Sequence, residues 1–309
     1  GQPALQVLLV VAQRHAADAG LGEAQLACPS LDVACEGGVI DGGAGRHARI
    51  VGGRRLPHAY NPRMSDRPHS HQLYTVAQVR ELDRRAIEEW GVPGFELMRR
   101  AAWAALASLR RHWPQAYRIA VHCGPGNNGG DGFLLAVLAR EAGLHVDVLA
   151  LADASSGDAG LARQAWKDGG GAVRPWQLGE ALPEVDVHVD ALYGTGLRRA
   201  PEAPAASLIE AIHASGTPVL ALDVPSGLDA DTGRVPGAAI RATVTVSFIA
   251  AKRGLHTGHA ADHVGALELD SLGLPDALWQ DVTPDARLLV AAQLPPRSRD
   301  AHKGSNGHV

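Results

Sequence analysis

The chain has 309 residues, a near-balanced formal charge of −4 and only 4% aromatic residues. That length allows one large domain or two ordinary ones, and the charge argues against a polyanion-binding surface, so no nucleic-acid partner is expected. Three cysteines (Cys28, Cys35 and Cys123) form no C-x-x-C pair and leave one over, which speaks against a disulfide framework and fits a reducing, cytoplasmic setting.

Residues 1–63 are rich in Gly, Ala, Arg and His and carry no sustained periodicity after Ala19. The longest early apolar run, residues 5–12, is too short to span a bilayer, and no basic segment precedes it. No membrane partner is expected. Met64 reads as a natural start, with 1–63 a spurious or disordered extension, 64–280 one domain and 281–309 a linker.

From Thr75 the pattern sharpens. Thr75 and Gln78 spell a capping box, and Val76, Val79, Leu82, Ala86, Ile87 and Trp90 recur at helical spacing. Residues 91–94 break that helix, and a second is expected over 95–112, with Ala101, Ala102, Ala104 and Ala105 along one side. Strands are then expected at 118–123, 145–151, 186–192, 218–223, 243–249 and, more weakly, 266–269. Helices are expected at 132–142, 157–168 and 204–215. Several strands are apolar on both faces, as a buried parallel sheet requires. The alternation defines an α/β fold: a three-layer sandwich with a mostly parallel sheet.

Ligands of such sheets sit beyond the carboxyl ends of the strands, and three of those ends are polar and glycine-rich. The first, Gly124-Pro125-Gly126-Asn127-Asn128-Gly129-Gly130-Asp131-Gly132, matches neither the P-loop nor the dinucleotide fingerprint. Two amides and a carboxylate among five glycines indicate a ligand approached closely by backbone. The second end runs from Asp190 through Tyr193, Gly194, Thr195 and Gly196 to Leu197, and the third from Asp223 through Ser226 to Gly233. A parallel sheet brings all three to one edge. Asp190, Asp223, Asn128, Asp131 and Ser226 would then form an oxygen-rich pocket without Cys or His, which favours a hard cation, monovalent rather than divalent. A partly desolvated carboxylate there could also act as general acid or base, so Asp190 and then Asp223 are the catalytic candidates. His256, His259 and His263 lie in a Gly/Thr-rich loop and read as exposed histidines rather than metal ligands. Lys252 and Arg253 follow a strand end, where a base could meet a phosphate or remain a solvated pair.

The runs CGPGNNGGDG, DALYGTGL and LDVPSGLDADTGRVPGAAIRATVTVSFIAAKRGL, in this order, closely resemble the NAD(P)H-hydrate epimerase family, the YjeF N-terminal domain. The resemblance covers about residues 73–274. It implies a Rossmann-like fold, interconversion of the two epimers of hydrated NADH and NADPH (NADHX and NADPHX), and a bound potassium ion. It implies substrate contacts at Asn127, Asn128, Gly129, Gly130 and Asp131, at Gly194, Thr195, Gly196, Leu197, Arg198, Arg199 and Ala200, and at Asp223. It implies potassium ligands at Asn128, Asp190 and Ser226. Tyr193 stands where Phe is commoner. Members commonly pair as homodimers, and the Ala-rich helices of 75–112 are the candidate surface. Residues 294–309 are similar to the entrance of an ADP-dependent dehydratase domain, whose activity is not expected of this chain. The fold is also similar to a non-catalytic binding and dimerisation module of mRNA-decapping scaffolds. The intact polar positions in all three loops favour the enzyme.

Overall fold

The computed structural model describes residues 69, 71–152, 157–197 and 199–289. The expectations for residues 1–63 and for 290–309, and that for Arg198, lie outside the described residues. Among the described residues there are ten strands: β1 (Gln72–Tyr74), β2 (Arg118–Cys123), β3 (His145–Ala150), β4 (Arg174–Pro175), β5 (Val187–Ala191), β6 (Val219–Leu222), β7 (Val244–Phe248), β8 (Ala251–Lys252), β9 (Ala266–Asp270) and β10 (Ala286–Arg287). Five α-helices alternate with them: α1 (Val76–Glu88), α2 (Gly94–His112), α3 (Asn127–Glu141), α4 (Gly157–Asp168) and α5 (Ala205–Ser215).

The main sheet has seven strands in the order β4-β3-β2-β5-β6-β7-β9, and every neighbouring pair is parallel. Alternation along each strand divides its side chains between two layers. Ile119, Val121 and Cys123 of β2 and Val187, Val189 and Ala191 of β5 face a core shared with α1 to α4. Ala120 and Leu149 face the other way, onto Leu208, Ile209 and Ile212 of α5. This is the three-layer sandwich expected from the alternating pattern. A smaller sheet joins β10, β1 and β8, so β10, past residue 280, is still hydrogen-bonded to the fold.

Local chemistry sets the helix ends. Thr75 caps α1 with the reciprocal Gln78 bond that its capping box predicts, and Asp231 Oδ1 accepts the Val76 N–H from across the molecule at 2.7 Å. Ile87, within α1, and Trp90, past its end at Glu88, are exposed rather than in the core. Two expectations need correction. The Ala-rich side of α2 is not an outer surface: Ala101, Ala102, Ala104 and Ala105 are buried within the monomer core and cannot serve a homodimer. And α3 begins at Asn127, not at residue 132, so Asn127, Asn128 and Asp131 lie on its first turns rather than on a loop.

Glycine's poor helix propensity hid that start, and packing explains it. A side chain at Gly124 would collide with the Leu192 carbonyl, at Gly129 with the Gly124 carbonyl, at Gly130 with Met98 and at Gly132 with Ala191. Four of the five glycines are therefore required by the protein's own packing, of the loop against Leu192 and of α3 against that loop, α2 and the sheet. Only Gly126 faces open space. The Gly130 N–H is already bound to the Gly126 carbonyl at 3.2 Å, so a ligand approaching these glycines would meet the Gly129 N–H.

Candidate functional site

The carboxyl ends of β2, β5 and β6 meet as expected, and two clusters form there. In the first, Asp190 ends β5 fully buried. Its Oδ1 accepts from the Ser226 hydroxyl at 2.6 Å and from the Leu192 N–H at 3.2 Å, and its Oδ2 accepts from the Ser226 N–H at 2.8 Å. Burial pushes this carboxyl up to about 6, against the opposing pull of those hydrogen bonds. Ser226 also accepts the Tyr193 N–H at 2.9 Å, which ties the second loop to the third.

In the second cluster, Asp223 follows β6 with φ +64°, in a three-residue turn closed by Val224 N–H to the Leu222 carbonyl at 2.8 Å. The next strand ends the same way: Ile249 has φ +66°, and Ala250 N–H reaches the Phe248 carbonyl at 2.7 Å. A β-branched residue at positive φ is a strained conformation of the kind concentrated at functional sites. Here the second turn folds the chain back so that Lys252, only 1% exposed, reaches Asp223 Oδ1 at 2.5 Å. Its other two donors go to Ser247 Oγ at 3.0 Å and the Phe248 carbonyl at 2.6 Å. All three protons of the ammonium are committed, so Lys252 is a fixed positive charge under Asp223. It is neither a phosphate ligand nor a solvated surface group.

Asp223 Oδ2 accepts the Thr195 N–H at 3.4 Å, and Gly194 lies between that oxygen and Asn128, where a side chain would strike the carboxylate. Asn127, Asn128, Gly129, Gly130 and Asp131 open α3, whose N-cap, Gly126, offers no side-chain bond. The first N–H groups of this helix are thus available to an anionic group. Both polar atoms of the Asn128 side chain are buried without a partner. Burial holds the Asp131 carboxyl well above its ordinary range, helped by the negative charges of Asp223 and Asp83. Arg80 of α1 donates to the Thr195 carbonyl at 3.2 Å and braces the second loop from above. Gly196 and Arg199 are exposed, Leu197 donates to the Gly194 carbonyl at 3.3 Å, and Ala200 packs beside Gly237.

Sequence reasoning missed Asp83, Arg80 and the inward turn of Lys252. It also missed a buried histidine pair beneath Asp190, where His122 Nε2 and His188 Nδ1 lie 3.0 Å apart. Burial lowers both, His188 to about 4 and His122 well below its usual value, so the pair is neutral. Of the three loop histidines, His256 and His259 are exposed but His263 is buried, and no group of three metal-ligating side chains occurs among the described residues.

Asp270, ending β9, is 4% exposed and accepts the Leu272 N–H at 2.7 Å through Oδ1. Burial pushes its carboxyl up to about 7. A raised folded-state value means that the contribution to stability is complete below the unfolded value and is lost as pH rises through about 7. Asp270→Asn keeps the acceptor and cannot ionise. Its stability relative to wild type is therefore expected to rise by roughly 2–4 kcal/mol between pH 4 and 8, read by urea unfolding at each pH.

A parallel α/β sheet that gathers Asn128, Asp190, Asp223 and Ser226 at its carboxyl edge places these polar side chains where open α/β folds bind their ligands. The family model described as YjeF-related protein N-terminus matches residues 94–254, and the chain belongs to that family. It is similar to the bifunctional NAD(P)H-hydrate repair enzyme Nnr of Coxiella burnetii, 46% identical over 243 residues, which cover 77% of this chain and 49% of that one. The enzyme of the same name from Escherichia coli is 41% identical over 77% of this chain and 47% of its own length. The chain thus spans about half the length of these curated relatives. The crystal structure of yeast ynu0 (YNL200c) shares the fold, with a TM-score of 0.59 at 20% identity over 67% of this chain and 91% of the other. No helix among the described residues is long and apolar enough to cross a membrane.

Proposed function

We propose that this chain interconverts the R and S epimers of hydrated NADH and NADPH, as the epimerase half of a nicotinamide cofactor repair protein. The observation that carries the reading is the convergence of Asn128, Asp190, Ser226 and Asp223 at one strand edge, in a family whose full-length relatives bear the repair-enzyme name. The match to those enzymes also weighs against the non-catalytic binding module.

The substrate carries a hydroxyl on the ring carbon beside the nicotinamide nitrogen. Inverting that centre requires the hydroxyl to leave and return on the other face, or the ring to open and reclose. Both routes develop positive charge on the ring nitrogen and move a proton on or off oxygen. Asp190 has both oxygens engaged and no exposure, so it holds loops and ligands rather than exchanging protons with a substrate. Asp223, partly exposed and held by Lys252, is the group that faces the pocket and moves the proton. Asp131, whose carboxyl is held well above its ordinary range by burial and by the charge of Asp223, is the second group that can give a proton there. The free N–H groups opening α3 would receive the substrate's pyrophosphate.

Potassium fits the residues present. Asn128 has a buried carbonyl oxygen without a partner, and Asp190 and Ser226 add hard oxygens with a single negative charge, a donor set suited to a monovalent cation. The ion would supply a positive charge that orders these three side chains. A homodimer would have to use a face other than the Ala-rich side of α2. Ile87 on α1 and Trp90 just past its end are exposed apolar residues that such a face could use.

The test is chromatographic. A single epimer of hydrated NADH, mixed with the purified chain in KCl, is expected to reach the two-epimer equilibrium far ahead of the protein-free control. Equilibration at the spontaneous rate by folded protein would contradict the proposal.

A further inference from the structure

A second concave site lies beside the amino-terminal ends of β7 and β9, at the opposite end of the strands from Asp223. It is an open cavity of about 520 Å³ lined by Val235, Arg241, His259, Asp262 and His263, of which Arg241, His259 and Asp262 are exposed to solvent. Its polar groups are held from behind. The Arg241 backbone N–H donates to His213 Nε2 of α5 at 3.0 Å. His263, 8% exposed, donates from Nδ1 to the Ile240 carbonyl at 2.7 Å, which leaves Nε2 an acceptor in the neutral ring. His259 and Asp262 sit on one short turn, whose His259 N–H is fixed to the Gly233 carbonyl at 2.8 Å. Among the described residues, the Arg241 guanidinium, the Asp262 carboxylate and the His259 ring have no side-chain partner.

These groups define the ligand by their chemistry. A guanidinium takes two oxygens of an anion in its planar fork, and the unpartnered His259 ring can donate to a third. Three oxygens on one centre describe a phosphate better than a carboxylate. The Asp262 carboxylate would repel a bare anion, but it accepts hydroxyl protons, as does His263 Nε2. We propose that this cavity binds a small phosphorylated polyol of pentose-phosphate size, with its phosphate on Arg241 and His259 and its hydroxyls on Asp262 and His263. This site is separate from the one assigned to epimerisation, and its test does not depend on turnover.

Ribose 5-phosphate is the probe, titrated calorimetrically into the full chain, with inorganic phosphate in parallel. Saturable binding of ribose 5-phosphate at about 1 mM or below is expected. Arg241→Ala should weaken it at least ~10-fold with the epimer-equilibration rate unchanged, which separates this cavity from the substrate pocket. Asp262→Ala should weaken ribose 5-phosphate but strengthen inorganic phosphate, because it removes a hydroxyl acceptor and a like charge together. Both replaced side chains are at the surface, so the variants retain the fold, as circular dichroism checks. Absence of saturable binding to wild type, or undiminished binding to Arg241→Ala, overturns the proposal.

Discussion

Asp223→Ala is expected to be among the most damaging single substitutions in the site, and Lys252→Met less so. Removing the carboxylate leaves the Lys252 ammonium 1% exposed, with only Ser247 and the Phe248 carbonyl to hold its charge. Breaking a buried pair from one side costs about 3–5 kcal/mol, because the remaining charge is uncompensated. For a domain of this size that corresponds to a fall of roughly 10 °C in Tm. Lys252→Met leaves Asp223 instead, whose side chain is 16% exposed and retains the Thr195 N–H and some water. The double variant is expected to be more stable than Asp223→Ala alone, since neither charge is stranded. Thermal unfolding of the four proteins measures this. A double variant less stable than Asp223→Ala would show that Lys252 is not held by Asp223. Turnover gives the second readout: Asp223→Asn should lose about 10²–10⁴-fold, the usual contribution of a positioned acid or base.

Asp190→Asn acts differently. Its amide replaces one of two accepting oxygens with a donor, while a backbone N–H stands at each of them, Leu192 at Oδ1 and Ser226 at Oδ2. One charge-assisted bond must break and two donors must face each other, at a cost of roughly 1.5–3 kcal/mol. Tyr193 is tied to Ser226, so the second and third loops lose their common anchor. The negative charge that suits a bound cation is lost as well. Turnover should therefore fall by about 10–100-fold, together with any response to potassium. A variant that kept its potassium response while losing turnover would return the proton-transfer role to Asp190.

The sheet was legible because its strands are apolar on both faces and are punctuated by glycine-rich ends. Asp190, Asp223 and the Asn127–Asn128 amides could be placed at one edge from that alternation. What could not be read depended on tertiary geometry. Four glycines before and within α3 looked like room for a ligand, but they are spacing required by the Leu192 and Gly124 carbonyls, Met98 and Ala191. Lys252 looked like a free base after a strand, because no periodicity predicts the positive-φ turn at Ile249 that folds it inward. Asp83 sat unnoticed on the polar side of an amphipathic helix. Only the packing of α1 over the pocket sets its charge among those of Asp131, Asp223 and Lys252.

The most direct test of the central claim is the rate of NADHX epimer equilibration by wild type and Asp190→Asn, each in matched KCl and NaCl. The account predicts rapid equilibration by wild type that is faster in potassium, and slow, salt-indifferent equilibration by the variant. Equal rates for the two proteins, or no acceleration by folded wild type in either salt, would contradict it.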